Sequence, residues 1–191
     1  MQSNNQYLQL PILEEKNITL AIKREDLLHP YVSGNKYRKL KYNIQAAKKK
    51  GNTTLLTFGG AFSNHIAAVA YAGRKWGMNT IGVIRGEELQ DNWNKNPTLA
   101  QANENGMQFS FLTRQAYREK NNPECIAQLR KQFGDFYLVP EGGTNALAIK
   151  GCEEILQEAD REFDVICTCV GTGGTVAGLI NTAHKHQHVL G

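Results

Sequence analysis

Three turns rich in glycine and small polar residues could hold a ligand: Gly59-Gly60-Ala61-Phe62-Ser63-Asn64-His65, Glu141-Gly142-Gly143-Thr144-Asn145, and Gly171-Thr172-Gly173-Gly174-Thr175. Each follows an apolar run that reads as a strand, and in open α/β sheets ligands bind where strands hand over to helices. The strongest anion site is Gly171, Thr172, Gly173, Gly174 and Thr175. There the glycines let backbone N–H groups converge, and the threonines add hydroxyl donors at a helix N-terminus. A dinucleotide fingerprint would need glycine where Val176 stands, and no Gly-Lys-Ser/Thr follows for a nucleoside triphosphate. A single phosphate group is what such a turn would take. A tight strand-to-helix turn with no ligand is the bland alternative.

The other reactive candidate is Lys36, in Ser33-Gly34-Asn35-Lys36-Tyr37-Arg38-Lys39-Leu40. It stands at a helix start, where the positive end of the dipole and nearby cations disfavour the ammonium form. A lysine so placed can act as an amine nucleophile. Spacing alone is a weak signal, because the chain has fourteen lysines and most lysines are surface residues.

Positioning these groups requires alternating strands and helices. The pattern predicts strands at 18–23, 53–58, 80–84, 107–112, 136–139 and 164–170, and helices at 35–50, 63–76, 97–105, 123–133, 144–159 and from 173 onward. Apolar strands alternating with helices imply parallel pairing and an α/β fold. Lys36 and the phosphate turn lie far apart in sequence yet must meet around one ligand, with Ser63 and Asn64 arriving from between. The expected layout is therefore two α/β units, residues 42–133 forming a smaller one inserted into a larger one of residues 1–41 and 134–191. The helix after Gly173 is the last expected element, so the larger unit is expected to lack later strands.

Hydrophobic residues at 41% and charged residues at 21% of 191 exclude a disordered chain. There is neither a membrane-length apolar run nor a signal peptide, so a cytoplasmic setting is expected. Net charge is +4, and residues 1–50 hold ten basic and four acidic side chains. A small anionic ligand or nucleic acid could use that excess, but RNA-type aromatic platforms, zinc-finger spacings and zipper heptads are missing. Lys48-Lys49-Lys50 before Gly51 reads as a cationic last helical turn. The four cysteines show no CxxC pair, and Cys167 and Cys169 are expected to be small buried hydrophobes on one strand face. His184-Lys185-His186-Gln187-His188 reads as an exposed helix end rather than a metal site.

The run Ile22-Lys23-Arg24-Glu25-Asp26-Leu27, the lysine motif, Gly59-Gly60 with Ser63-Asn64, Arg85-Gly86-Glu87, Pro140-Glu141-Gly142-Gly143 and the Gly171–Thr175 turn follow one another in a telling order. Together they resemble the 1-aminocyclopropane-1-carboxylate deaminase/D-cysteine desulfhydrase family. Those are pyridoxal 5′-phosphate enzymes of the tryptophan-synthase-β-like fold, and the resemblance covers residues 20–179. It implies that Lys36 holds the cofactor covalently, that Asn64 hydrogen-bonds the pyridoxal 3′-oxygen, and that Ser63 sits at the substrate carboxylate. Gly171, Thr172, Gly173, Gly174 and Thr175 would form the phosphate loop. His65 stands where many of these deaminases carry Gln, which links it to substrate choice through a donated N–H to the substrate carboxylate. Members of the family continue well past residue 191 to a catalytic tyrosine and a polar residue facing the pyridine nitrogen.

The implied activity is that of a lyase or deaminase on a small amino acid, foremost D-cysteine desulfhydrase-like α,β-elimination to pyruvate, ammonia and sulfide. Ring opening of 1-aminocyclopropane-1-carboxylate, racemisation, or phospholigand binding without catalysis are the alternatives. A homodimer is expected of the intact protein, with no nucleic-acid or membrane partner and no metal.

Overall fold

A computed structural model describes residues 2–32 and 34–191, so Ser33 of the lysine motif lies outside the described residues. The chain opens with β1 (Asn5–Leu8), α1 (Pro11–Glu15) and β2 (Leu20–Lys23), followed by α2 (Asn35–Lys49). Next come β3 (Thr54–Gly59), α3 (Asn64–Trp76), β4 (Asn79–Arg85), α4 (Pro97–Glu104), β5 (Met107–Leu112), α5 (Arg114–Arg118), α6 (Pro123–Phe133) and β6 (Tyr137–Val139). The chain closes with α7 (Ala146–Cys152), β7 (Val165–Cys167), α8 (Gly174–Thr182) and β8 (His188–Leu190).

The central sheet is parallel, in the order β5-β4-β3-β6. Helices cover both its faces, which is why β3 is an unbroken buried run rather than an alternating one. Leu55, Ile84 and Met107 pack with Leu40 and Ile44 of α2, Ile66 and Val69 of α3, and Leu99 of α4. On the other face Leu56, Phe58, Ile81 and Val83 pack with Tyr117 of α5 and Leu129 of α6. Ser63 caps α3 by accepting the Ile66 N–H at 3.4 Å, so the Gly59–Ser63 turn is locked at the carboxyl end of β3.

Two smaller pairs flank this sheet, β1 antiparallel to β2 and β7 parallel to β8. Buried Asp160 ties them together by accepting from Lys23 Nζ at 2.6 Å and Asn5 Nδ2 at 2.7 Å. A groove of about 490 Å³, lined by Leu20, Ile22, Val165 and Leu179 among others, runs along β2 and β7.

α2 is the element the site depends on. Its carboxyl-proximal half buries Leu40, Ile44 and Ala47 at the expected helical spacing. Arg38 is 1% exposed and grips Glu25 through Nε and a terminal nitrogen, each at 2.9 Å. Lys41 pairs with Glu154 at 2.7 Å. α7 crosses α2 so closely that a Cβ on Gly151 would lie 2.0 Å from the Arg38 carbonyl oxygen.

Several expectations need correction. β6 hydrogen-bonds to β3 with Leu56 opposite Leu138, so the four-stranded sheet runs across the expected 133/134 boundary. The helix expected over 144–159 ends at Cys152, because Glu153 and Glu154 oppose the negative end of the dipole and the chain turns to bury Ile155 against Cys152 and Leu179. Cys167 and Cys169 are exposed: β7 stops at Cys167 and pairs only with β8 among the described residues. Likewise α8 stops at Thr182, and the histidine tail runs through a turn into β8 instead of ending a helix. Among the described residues no cluster of ligands could hold a metal ion, and no helix is long and apolar enough to cross a membrane.

The tight α2–α7 crossing can be tested directly. Gly151→Ala is expected to destabilise the fold by ~1–3 kcal/mol through overpacking. An unchanged denaturation midpoint would contradict that packing.

Candidate functional site

Two lysines from the first turns of α2 define the site. Lys39 is 2% exposed, and its Nζ donates to Thr144 Oγ1 at 3.1 Å, to the Gly142 carbonyl at 3.3 Å and to Thr172 Oγ1 at 3.5 Å. All three acceptors are neutral. Lys36 Nζ, half-buried, donates to Asn35 Oδ1 at 3.1 Å. Burial first, and then the charge of Lys39, lowers the Lys36 pKa to about 8. Burial lowers that of Lys39 as well. Two ammonium groups without a carboxylate partner form a strong anion-seeking pair.

The Gly171–Thr175 turn closes over them. Gly173, at φ 82°, adopts the left-handed conformation that suits glycine and caps α8. Lys36, Lys39, Gly171, Thr172, Gly173 and Thr175 line a pocket of about 90 Å³, small enough for one phosphate and too small for a nucleotide. Asn35 joins the two ends of the chain: its Nδ2 donates to Thr175 Oγ1 at 2.8 Å while its Oδ1 receives Lys36. Thr175 Oγ1 accepts from Asn35 and also lies within hydrogen-bonding reach of the Cys152 sulfur. The Pro140–Asn145 turn reaches the same place. Gly142, at φ 65°, comes so near Thr172 that a Cβ would lie 2.7 Å from its hydroxyl oxygen. Thr144 and Thr172 hydroxyls hydrogen-bond each other beneath Lys39.

A second cleft of about 270 Å³ shares Lys36, Gly171 and Thr172 with the phosphate-sized pocket and adds Ser63, Asn64, His65 and Glu141. Asn64 is exposed there at the start of α3, and Ser63 is partly buried. His65 is placed differently from the expected substrate contact. Its ring is 2% exposed, and Nε2 lies 2.9 Å from Thr57 Oγ1 of β3. Nδ1 makes no hydrogen bond of ordinary geometry, although the Pro140 carbonyl is near enough to act on it. Desolvation, followed by the charges of Lys36 and Lys39, drives its pKa down to about 3, so the imidazole stays neutral. His65 thus links β3, the start of α3 and the Pro140 turn from behind the cleft.

Of the residues expected at the site, Lys36, Gly171, Thr172, Gly173 and Thr175 line the small pocket and Lys36, Ser63, Asn64 and His65 line the cleft, while Gly174 lines neither. Sequence reasoning gave no role to Lys39 and Asn35, and singled out Thr144 and Glu141 only as members of the second glycine turn. Lys39 was findable: it follows Lys36 by three on a helix, and residues so spaced share a face.

These parts fit one phosphorylated, amine-reactive cofactor: a basic phosphate-sized pocket, a lysine with a depressed pKa at its mouth, and a polar cleft beyond. Residues 2–189 match the family described as pyridoxal-phosphate dependent enzyme, and the chain belongs to that family. Among relatives, a Thermotoga maritima protein provisionally named as a 1-aminocyclopropane-1-carboxylate deaminase is 34% identical over 93% of this chain and 59% of its own length. The bifunctional D-cysteine desulfhydrase/1-aminocyclopropane-1-carboxylate deaminase of Arabidopsis thaliana, a mitochondrial protein, is 29% identical over 84% of this chain and 44% of its own. A crystal structure of an ACC deaminase homologue superposes with a TM-score of 0.77 at 29% identity, covering 95% of this chain and 56% of that one. The resemblance read from the motifs is therefore borne out, as is the fold class. The chain spans about half the length of the relatives it matches.

Neutral His65 makes a prediction about pH. An unfolded histidine takes up a proton near pH 6.5, and His65 in the folded chain does so only near pH 3. The unfolded state binds the extra proton in that window, so stability falls as pH drops through it, with a contribution approaching ~1.4 kcal/mol per pH unit. Urea unfolding of His65→Gln from pH 7 to pH 4 is expected to show a shallower loss than wild type. Equal slopes would mean that His65 protonates freely in the folded chain.

Proposed function

We propose that this chain carries the cofactor-binding core of a lyase that acts on a small amino acid. The reaction favoured is D-cysteine desulfhydrase-like α,β-elimination, in which cysteine and water give pyruvate, ammonia and hydrogen sulfide. The observation that carries this reading is the position of Lys36, at the junction of the phosphate-sized pocket and the polar cleft. Relatives named for desulfhydrase and deaminase activity support the same class.

Bound pyridoxal phosphate would supply an electron sink that stabilises negative charge at the substrate Cα. The residues that would hold it are Lys36, covalently, and Lys39, Thr172, Thr175 and the Gly171–Gly174 backbone at its phosphate, with Asn64 at its 3′-oxygen. Ser63 and the N-terminus of α3 would bind the substrate carboxylate. With a pKa of about 8, Lys36 Nζ has a substantial neutral fraction near physiological pH and can accept the Cα proton. We assign His65 to holding the α3 start in place rather than to touching substrate, on the strength of its Thr57 contact.

Two units remain the proposed layout, with the inner one extended to residue 139 to include β6. The excess positive charge of residues 1–50 is not read as a nucleic-acid surface. Lys16, Lys23, Arg24, Arg38 and Lys41 are in ion pairs, and Lys36 and Lys39 face the phosphate pocket.

Reconstitution with pyridoxal phosphate should give a visible absorption band that borohydride abolishes, and peptide mass mapping should place the pyridoxyl label on Lys36. A label on a different lysine would overturn the assignment. Absence of any band would overturn the cofactor site itself.

A further inference from the structure

Glu141 is the one acidic residue among the described residues that line the 270 Å³ cleft, and neither phosphate binding nor proton transfer needs it. Its position is well determined. It opens the turn after β6, and its side chain is 39% exposed. Tyr117 Oη donates to Oε1 at 2.8 Å, and Lys120 Nζ pairs with Oε2 at 3.2 Å. Tyr117 is almost fully buried, and that burial, followed by Glu141 itself, raises its pKa, so the phenol remains a donor. Each carboxylate oxygen keeps a further lone pair, so Glu141 offers the cleft acceptors and a negative charge, and no donor.

A small amino acid brings three polar groups into such a cleft. Ser63 and the N-terminus of α3 suit the carboxylate, and Lys36 is the partner of the reacting amine. The third group, on Cβ, is left to Glu141. We infer that Glu141 makes the cleft select amino acids whose β-substituent donates a hydrogen bond (a hydroxyl, thiol or ammonium) and reject those bearing a β-carboxylate. This rests on the amino-acid reading of the cleft proposed above and narrows its substrate class. A hydrogen bond to a charged group corresponds to roughly ten- to hundredfold in affinity, and a carboxylate brought against Glu141 would be repelled.

Absorbance titration of the chain reconstituted with pyridoxal phosphate, using serine, 2,3-diaminopropionate and aspartate as both enantiomers, reads binding without turnover. The wild-type chain is expected to bind serine and diaminopropionate at least about tenfold more tightly than aspartate. Glu141→Gln should reduce that ratio by about tenfold with cofactor affinity unchanged. Lys120→Met, which removes the compensating cation, should widen the preference for diaminopropionate over aspartate. An intact cofactor spectrum with the wild-type ratio retained in Glu141→Gln would overturn the role given to Glu141 alone. So would a wild-type chain that binds aspartate as well as serine. A wild-type chain that takes up no cofactor would remove the amino-acid site and this inference with it.

Discussion

Two lysine side chains leave water within one turn of each other with only neutral oxygens to receive them, and the structure around the site is organised by that constraint. Lys39 donates to two threonine hydroxyls and a backbone carbonyl, and Lys36 to an asparagine amide. The desolvation of an ammonium group has to be offset by something, and here burial holds both lysine pKa values down. The cations on the other sides of the same helix are treated in the opposite way. Arg38 is gripped by Glu25, and Lys41 by Glu154. α2 thus anchors itself with paired charge and presents unpaired charge to the Gly171–Thr175 turn. A dianionic group is the ligand that such an arrangement favours most, and the turn adds backbone N–H groups and hydroxyls to match.

Holding that arrangement requires elements distant in sequence to meet with little freedom. Asn35 spans from Lys36 to Thr175, so the two helix starts are fixed relative to each other by one amide. Gly151 lets α7 approach the backbone of α2, and Gly142 lets the Pro140 turn approach Thr172. His65, neutral and buried, braces the start of α3 from the sheet side. Each of these residues acts on geometry, and together they leave Lys36 at the opening between a basic pocket and a cleft walled by Ser63, Asn64 and Glu141.

Much of this was legible in the amino-acid sequence, for identifiable reasons. β3, β4 and β5 are dense apolar runs bounded by turns, and they appear within a residue of their expected ends. The glycine turns after β3, after β6 and before α8 announce the ligand face because glycine and hydroxyl residues cluster there. The short elements were less legible. α1, α5, β1 and β8 carry too few residues for periodicity to declare itself, and the early end of α7 follows from tertiary burial of Ile155. The burial of His65 was not legible, because Thr57, eight residues earlier, draws its ring against β3. Glu141 stood in one of the glycine turns, but its tether to Tyr117 joins positions 24 apart and had no sequence signal.

The central claim is that buried Lys39 and half-buried Lys36 are incomplete until an anion joins them. Calorimetric titration of the free chain with inorganic phosphate at pH 8.5, repeated in buffers of different ionisation enthalpy, tests it most directly. At that pH phosphate is already dianionic, while Lys36, with a pKa of about 8, is largely neutral. Saturable binding with net uptake of a proton, weakened in Lys39→Met, is the predicted result. Binding without proton uptake, or no binding, would contradict the account.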